Sequence, residues 1–184
     1  PVLKSYWLMI HVAIITASYG FFSLGAILGL IALWLIIFTS STNKFKLRKT
    51  LTELTIINEK TLEIGLFMLT IGTFLGGVWA NESWGRYWGW DPKETWALVS
   101  VLIYAFVLHM RFIPFLRSQL IFNTVSMFAI WTIIMTYFGV NYYLSGLHSY
   151  AAGDPMPIPT FVYYLLALMI VTALIAKLRF KENY

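Results

Sequence analysis

Five of the eight tryptophans fall between Trp79 and Trp96, in the run Trp84-Gly85-Arg86-Tyr87-Trp88-Gly89-Trp90-Asp91-Pro92-Lys93-Glu94-Thr95-Trp96 and the helix-like residues before it. Trp84, Trp88 and Trp90, interrupted by Gly85 and Gly89, suit a large planar aromatic ligand. Flat indoles bury its faces, and glycines let it approach the backbone. Arg86 and Lys93 are cations that could meet carboxylates on such a ligand. A second reading needs no ligand. Trp79 and Trp96 fit the aromatic belt at a membrane surface. Asp91 as N-cap, Pro92 at the first helical position and Glu94 two residues later make a capping-box helix start. Composition leaves the two readings level. Asp91 and Glu94 also resemble an acid–base carboxylate pair, but the helix cap accounts for both more simply.

The three histidines, His11, His109 and His148, are the other groups able to do chemistry. Histidine inside a membrane protein usually faces the protein interior or an aqueous cavity. Two imidazoles on separate elements, at the depth of a tryptophan surface, could take the axial positions of a haem iron. Two nitrogens without thiolates make a poor structural zinc site. The alternative is a pair of unrelated interfacial histidines, each hydrogen-bonded to backbone. His109, beside Arg111, reads by itself as a residue reaching for the interface.

The elements that must carry these residues are membrane helices. Across 184 residues 59% are apolar and 11% charged, with a mean hydropathy of +0.74, more apolar surface than a soluble fold of this size can bury. The reading is all-α: a polytopic bundle of about five transmembrane helices forming a single membrane domain. Charge-poor stretches place the spans at about 7–38, 62–80, 93–111, 118–139 and 159–177, with an external tryptophan-rich segment at 79–96 and an external histidine loop at 140–158. Leu47, Leu51 and Leu54 fit a short interfacial helix leading into the second span, and the polar Asn58 ends that register. No internal repeat or low-complexity stretch is visible.

Lysine and arginine set the orientation. With the N-terminus outside, Lys44, Lys46, Arg48, Lys49, Lys60, Arg111, Arg117, Lys177, Arg179 and Lys181 share one face, and only Lys4, Arg86 and Lys93 the other. The first face is then cytoplasmic, as is the C-terminus. The net charge of +5 is a topology signal, not a nucleic-acid surface. Cysteine is absent, which excludes disulfides, thiolate ligands, iron–sulfur clusters and a cysteine nucleophile in these residues. No phosphate-binding loop, dinucleotide fingerprint or catalytic serine setting occurs. An opening proline without an n-region or cleavage site suggests a processed piece, the C-terminal part of a larger protein or complex.

Trp84-Gly85-x-x-Trp88-x-Trp90-Asp91-x-x-Glu94 resembles the "WWD" motif of haem-handling proteins in cytochrome c biogenesis. Trp7-Leu8-Met9-Ile10-His11-Val12, and Gly139-Val140-Asn141-Tyr142 through Gly146-Leu147-His148-Ser149-Tyr150-Ala151, resemble the CcsA branch, including the fused CcsBA proteins of System II. The likeness runs from about residue 5 to 152. The tryptophan motif is shared with the CcmC and CcmF branches, and His148 in its setting selects CcsA.

The resemblance implies a cytochrome c haem lyase of the holocytochrome c synthase type. Such a protein receives haem b exported across the membrane and attaches it by thioether bonds to the Cys-x-x-Cys-His segment of apocytochrome c. It implies that His11 and His148 ligate the iron at an external site. Trp84, Tyr87, Trp88 and Trp90 would line the platform with Asp91 in the catalytic motif, and Arg86 or Lys93 would meet the propionates. His109 would be a transmembrane ligand whose partner histidine, absent from this chain, lies in an N-terminal segment or on a partner of the CcsB/ResB type. The implied setting is a bacterial plasma (inner) membrane or a thylakoid membrane, with lipid but no nucleic acid as neighbour and the site on the periplasmic or lumenal face. Two alternatives stand: a haem carrier or exporter subunit without ligase activity, and a non-catalytic membrane anchor or transporter subunit.

Overall fold

In lipid every backbone polar group must be satisfied within the segment, so long apolar runs fold as helices. The computed structural model describes residues 5–40, 42–148 and 157–183, with side chains to 180. Its elements are α1 (Tyr6–Ile37), α2 (Lys44–Trp84), α3 (Pro92–His109), α4 (Gln119–Ile134), α5 (Val140–Tyr143) and α6 (Thr160–Asn183). A short 3-10 turn, Met110–Phe112, extends α3, and a π turn, Met135–Gly139, joins α4 to α5. Among the described residues five helical stretches are long and apolar enough to cross a membrane: Tyr6–Ile37, Lys44–Trp84, Pro92–Phe112, Gln119–Tyr143 and Thr160–Phe180. The protein is an all-helical, polytopic membrane bundle. Ser149 and Tyr150 of the third motif, and the rest of the expected loop to residue 156, lie outside the described residues.

α2 differs in form from a short interfacial helix plus a separate span. Its 41 residues run unbroken for about 60 Å, twice the roughly 30 Å of a hydrocarbon core. No glycine or proline interrupts Lys44–Glu63, and Thr52, Thr55 and Thr61 return their hydroxyls to carbonyls one turn back, so nothing breaks the helix. Asn58, the polar residue that ends the leucine register, is fully buried. It donates to Asn123 Oδ1 (3.1 Å) and Ser126 Oγ (2.8 Å) of α4. The register ends at an interhelical polar junction.

α1 and α2 form the most extensive helix pair. Phe22 stacks on Tyr104 of α3, ring centroids 3.7 Å apart, in a core with Leu62, Leu69, Phe122 and Ile133. A second cluster, Ala32, Leu33, Ile36, Leu51, Met127 and Met169, holds α6 against α1 and α4. This up-and-down packing brings the start of α1, the end of α2, the start of α3 and α5 to one end of the bundle. The opposite end carries the end of α1, the start of α2 and the 110–118 turn, where Arg111 pairs with Glu59 of α2.

Candidate functional site

The tryptophan segment is a helix stop followed by a helix start. α2 ends on Gly85 in the left-handed region (φ +70°), its N–H bonded to Asn81 O. α3 begins with the complete capping box: Asp91 Oδ1 accepts from Lys93 N (3.0 Å), and Glu94 Oε2 accepts from Asp91 N (3.2 Å). Glu94 Oε2 also accepts from Gly89 N (2.8 Å). Its carboxylate is thus held by N–H groups on both sides of Trp90, the only non-glycine at positive φ (+57°) among the described residues. That conformation costs about 1–2 kcal/mol, which two charge-assisted hydrogen bonds can offset. The resulting turn leaves the Trp90 side chain 70% exposed, edge-on to Trp88.

One carboxylate of this capping box, that of Asp91, also reaches a histidine. His148 Nδ1 lies 3.0 Å from Asp91 Oδ1. A carboxylate only accepts, so the proton of this contact is on Nδ1, the tautomer in which a neutral imidazole carries its lone pair on Nε2. Asp91 Oδ2 accepts from Leu147 N (2.6 Å), fixing the backbone beside that imidazole. Gly146 is required here, since a Cβ at that position would strike Asp91 Oδ2. His11, from α1, donates Nδ1–H to the carbonyl of Gly72 on α2 at 2.7 Å, again leaving Nε2 free. Its ring lies so close to α2 that a Cβ on Gly76 would come within 2.5 Å of Cε1.

Trp79 corrects the sequence reading. Expected in the aromatic belt, it is 1% exposed and sits between the two imidazoles. It is parallel to His11 (centroids 6.4 Å, 10°) and edge-on to His148 (5.6 Å, 60°). Position 79 follows Gly72 and Gly76 at helical spacing, so it shares the face of α2 that packs on α1. Trp84 packs edge-on against both His148 (5.0 Å) and Trp79 (4.8 Å).

His11 and His148 line one open-sided cavity, with Tyr87, Trp88, Lys93, Glu94 and Thr136 among its other walls. Of the residues singled out from sequence, six then meet in one space: His11, His148, Tyr87, Trp88, Lys93 and Glu94. Trp84 and Asp91 support it from behind, through His148. Trp90 and Arg86 stand outside, Arg86 exposed with its guanidinium packed over Gly89. His109 is elsewhere, at the far end of α3, exposed, with Nδ1–H donated to Ala105 O of its own helix (2.7 Å).

Sequence reasoning missed Gly72, Gly76 and Thr136, and named Asn141 in a motif without giving it a role. The glycines at i and i+4 on an apolar helix were a signal of close helix approach. Thr136 and Asn141 depend on the π turn at Met135–Gly139, which re-aims the end of the fourth span; Thr136 bonds Ser100 Oγ and Trp96 O. Lys93 Nζ donates to Asn141 Oδ1 (2.9 Å), and Asn141 Nδ2 to Tyr137 O (2.7 Å).

Five apolar helices bring two imidazoles, each with Nε2 facing away from its Nδ1 partner, to one cavity at one end of a polytopic membrane bundle. The description of the cytochrome C assembly protein family matches residues 1–148. Protein NrfI of Wolinella succinogenes is 56% identical over 157 residues, covering 85% of this chain and 17% of NrfI. The cytochrome c biogenesis proteins CcsA of Guillardia theta and Chlamydomonas reinhardtii are 38% and 39% identical over 82% of this chain, and 56% and 42% of their own lengths are covered. The chain belongs to the cytochrome c assembly family. It spans about half the length of these CcsA proteins and a smaller part of NrfI.

Proposed function

We propose that the cavity between His11 and His148 holds haem as a substrate for attachment to apocytochrome c, within a larger protein or with a partner of the CcsB/ResB type. The observation that carries this reading is the pair of imidazoles facing one aromatic cavity, each pinned through Nδ1 and each presenting Nε2. Such second-partner hydrogen bonds fix the tautomer and raise ligand basicity, which suits them to iron. Tyr87 and Trp88 give the cavity the flat apolar walls a porphyrin needs, and Trp84 and Trp79 hold the imidazoles at their angles.

The ligand that fits this chemistry is haem b, whose vinyl groups are unreacted. In attachment, each cysteine thiol of a Cys-x-x-Cys-His segment adds across one vinyl group. A carbon–sulfur bond forms, the thiol hydrogen goes to the other vinyl carbon, and no net oxidation occurs. This chain contributes positioning: it holds the substrate and keeps bulk water from its faces. The absence of cysteine from the chain suits that role, since a resident thiol would compete for the vinyl groups. The substrate's own histidine must finally bind the iron, so one of His11 and His148 is displaced as product forms.

The uneven distribution of lysine and arginine supports an N-terminus outside and the cavity on the external face. His109, exposed with Nε2 free on a helix face the described residues leave open, suits a ligand for haem on its way across the membrane, completed by a histidine from another segment. The test is a visible spectrum and pyridine haemochrome assay on the purified full-length protein, beside His11→Ala/His148→Ala. Six-coordinate haem b in the wild type, lost from the double variant, supports the site. Full haem content with an unchanged spectrum in the double variant refutes it.

A further inference from the structure

The sequence offers two cations for an anionic ligand group in the tryptophan segment, and the structure separates them. Arg86 is exposed, outside the cavity, its guanidinium lying over Gly89. Lys93 is half-buried and lines the cavity with His11 and His148. A partly buried ammonium normally has a carboxylate partner. Among the described residues Lys93 forms no ion pair. The two carboxylates nearest in sequence are engaged: Asp91 by His148 Nδ1, Leu147 N and Lys93's own N–H, and Glu94 by Gly89 N and Asp91 N.

The Lys93 side chain is nevertheless held in place. Its Nζ donates to Asn141 Oδ1 at 2.9 Å, a neutral acceptor. The Asn141 amide cannot turn over without losing the bond from its Nδ2 to Tyr137 O at 2.7 Å, so its oxygen is kept toward the ammonium. An ammonium has three donors, and Asn141 takes one. A positioned cation with spare donors and no ion pair, in a cavity it shares with two imidazoles, Tyr87, Trp88 and a Glu94 already engaged by backbone N–H groups, suits a carboxylate-bearing aromatic ligand.

We infer that Lys93 is the specificity-determining anchor for a carboxylate of the bound ligand, and that Asn141 positions it. Resting on the haem reading, the carboxylate is a haem propionate, and Lys93 makes the site prefer the free acid to an esterified porphyrin. The test compares haem with its dimethyl ester, in which both propionates are uncharged, by titrating each into the full-length protein. Wild type is expected to bind haem about tenfold more tightly than the ester, the scale of one charge-assisted contact. Lys93→Met and Lys93→Gln, the second able to keep the bond to Asn141, should bring the two affinities together while both complexes stay six-coordinate. Lys93→Arg should retain the preference, and so should Arg86→Ala. An undiminished preference in both neutral variants, or its loss in Arg86→Ala, overturns the assignment and leaves the haem reading standing. A wild-type protein that binds neither porphyrin overturns the haem reading, and this inference with it.

Discussion

His11 and His109 make the same hydrogen bond, Nδ1 to a backbone carbonyl at 2.7 Å, and differ in almost everything else. The carbonyl that holds His11 belongs to another helix, so the bond fixes the ring relative to α2, and Trp79 closes over it. The carbonyl that holds His109 lies one turn back on α3 itself and fixes nothing beyond that helix. His148 resembles His11: its Nδ1 partner, Asp91, comes from a distant part of the chain and is buried. One end of the bundle therefore restrains its imidazoles by tertiary contacts around a cavity. The other offers, among the described residues, a single exposed imidazole near Arg111. What turns a histidine into part of a prepared site is enclosure and restraint from outside its own element.

The largest expected effect tests this contrast directly. His11→Ala/His148→Ala should reduce haem retained at the proposed outer site, and the yield of cytochrome c, to background. With haem added to the purified protein, so that no passage across the membrane is needed, His109→Ala should leave the outer-site absorption spectrum in place. Equal losses from both would mean that the two ends are not distinct sites. Next in size is Asp91. Asp91→Ala removes the partner of His148, the acceptor for Leu147 N and the cap of α3 together. Haem affinity is expected to fall ten- to a hundredfold, with a stability loss of about 1–3 kcal/mol. Asp91→Asn keeps a capping oxygen, so in thermal unfolding and haem titration it should lose affinity with much less stability. Wild-type affinity in Asp91→Ala would mean that the His148 contact does no positioning.

Much of the frame was open to inspection in the sequence because its causes are local. Charge-free apolar runs specify membrane helices whatever surrounds them, and Asp91-Pro92-Lys93-Glu94 caps a helix with its own four residues. The unbroken length of α2 was not read from the sequence, although no glycine or proline before Glu63 interrupts the helix. The rest depends on which helix faces meet. Trp79 reads as a belt residue until α1 is laid along α2, and only then does it become the wall between two imidazoles. Arg86 and Lys93 are equivalent cations in one dimension. The left-handed turn at Trp90 and the π turn before Asn141 send one to solvent and keep the other in the cavity.

A smaller perturbation sharpens the picture of the restrained end. A methyl group at position 76 has no room beside the His11 ring. Gly76→Ala should displace that imidazole while leaving His148 and Asp91 alone, at an overpacking cost of about 1–3 kcal/mol. The expected readout is a haem spectrum of mixed coordination in a protein that still folds. An unshifted six-coordinate spectrum would show that His11 does not need its present seat against α2.

The smallest effect lies nearer the other end and checks whether the two are separable. Asn58→Ala removes two donated hydrogen bonds from the α2–α4 junction, yet three features limit the loss. Ser126 Oγ keeps its bond to Asn123 O, and Asn123 Nδ2 keeps those to Thr55 and Gln119. Asn58 Oδ1, buried without a hydrogen bond among the described residues, disappears with the side chain. Only Asn123 Oδ1 is left wanting a donor, so the destabilisation should be about 0.6–1.7 kcal/mol, the range for polar contacts between membrane helices. Thermal unfolding should register that loss while the haem titration stays at wild type. If the haem affinity drops as well, the Asn58 junction and the cavity are coupled through α2, and the restraint on His11 extends along that helix well beyond Gly72.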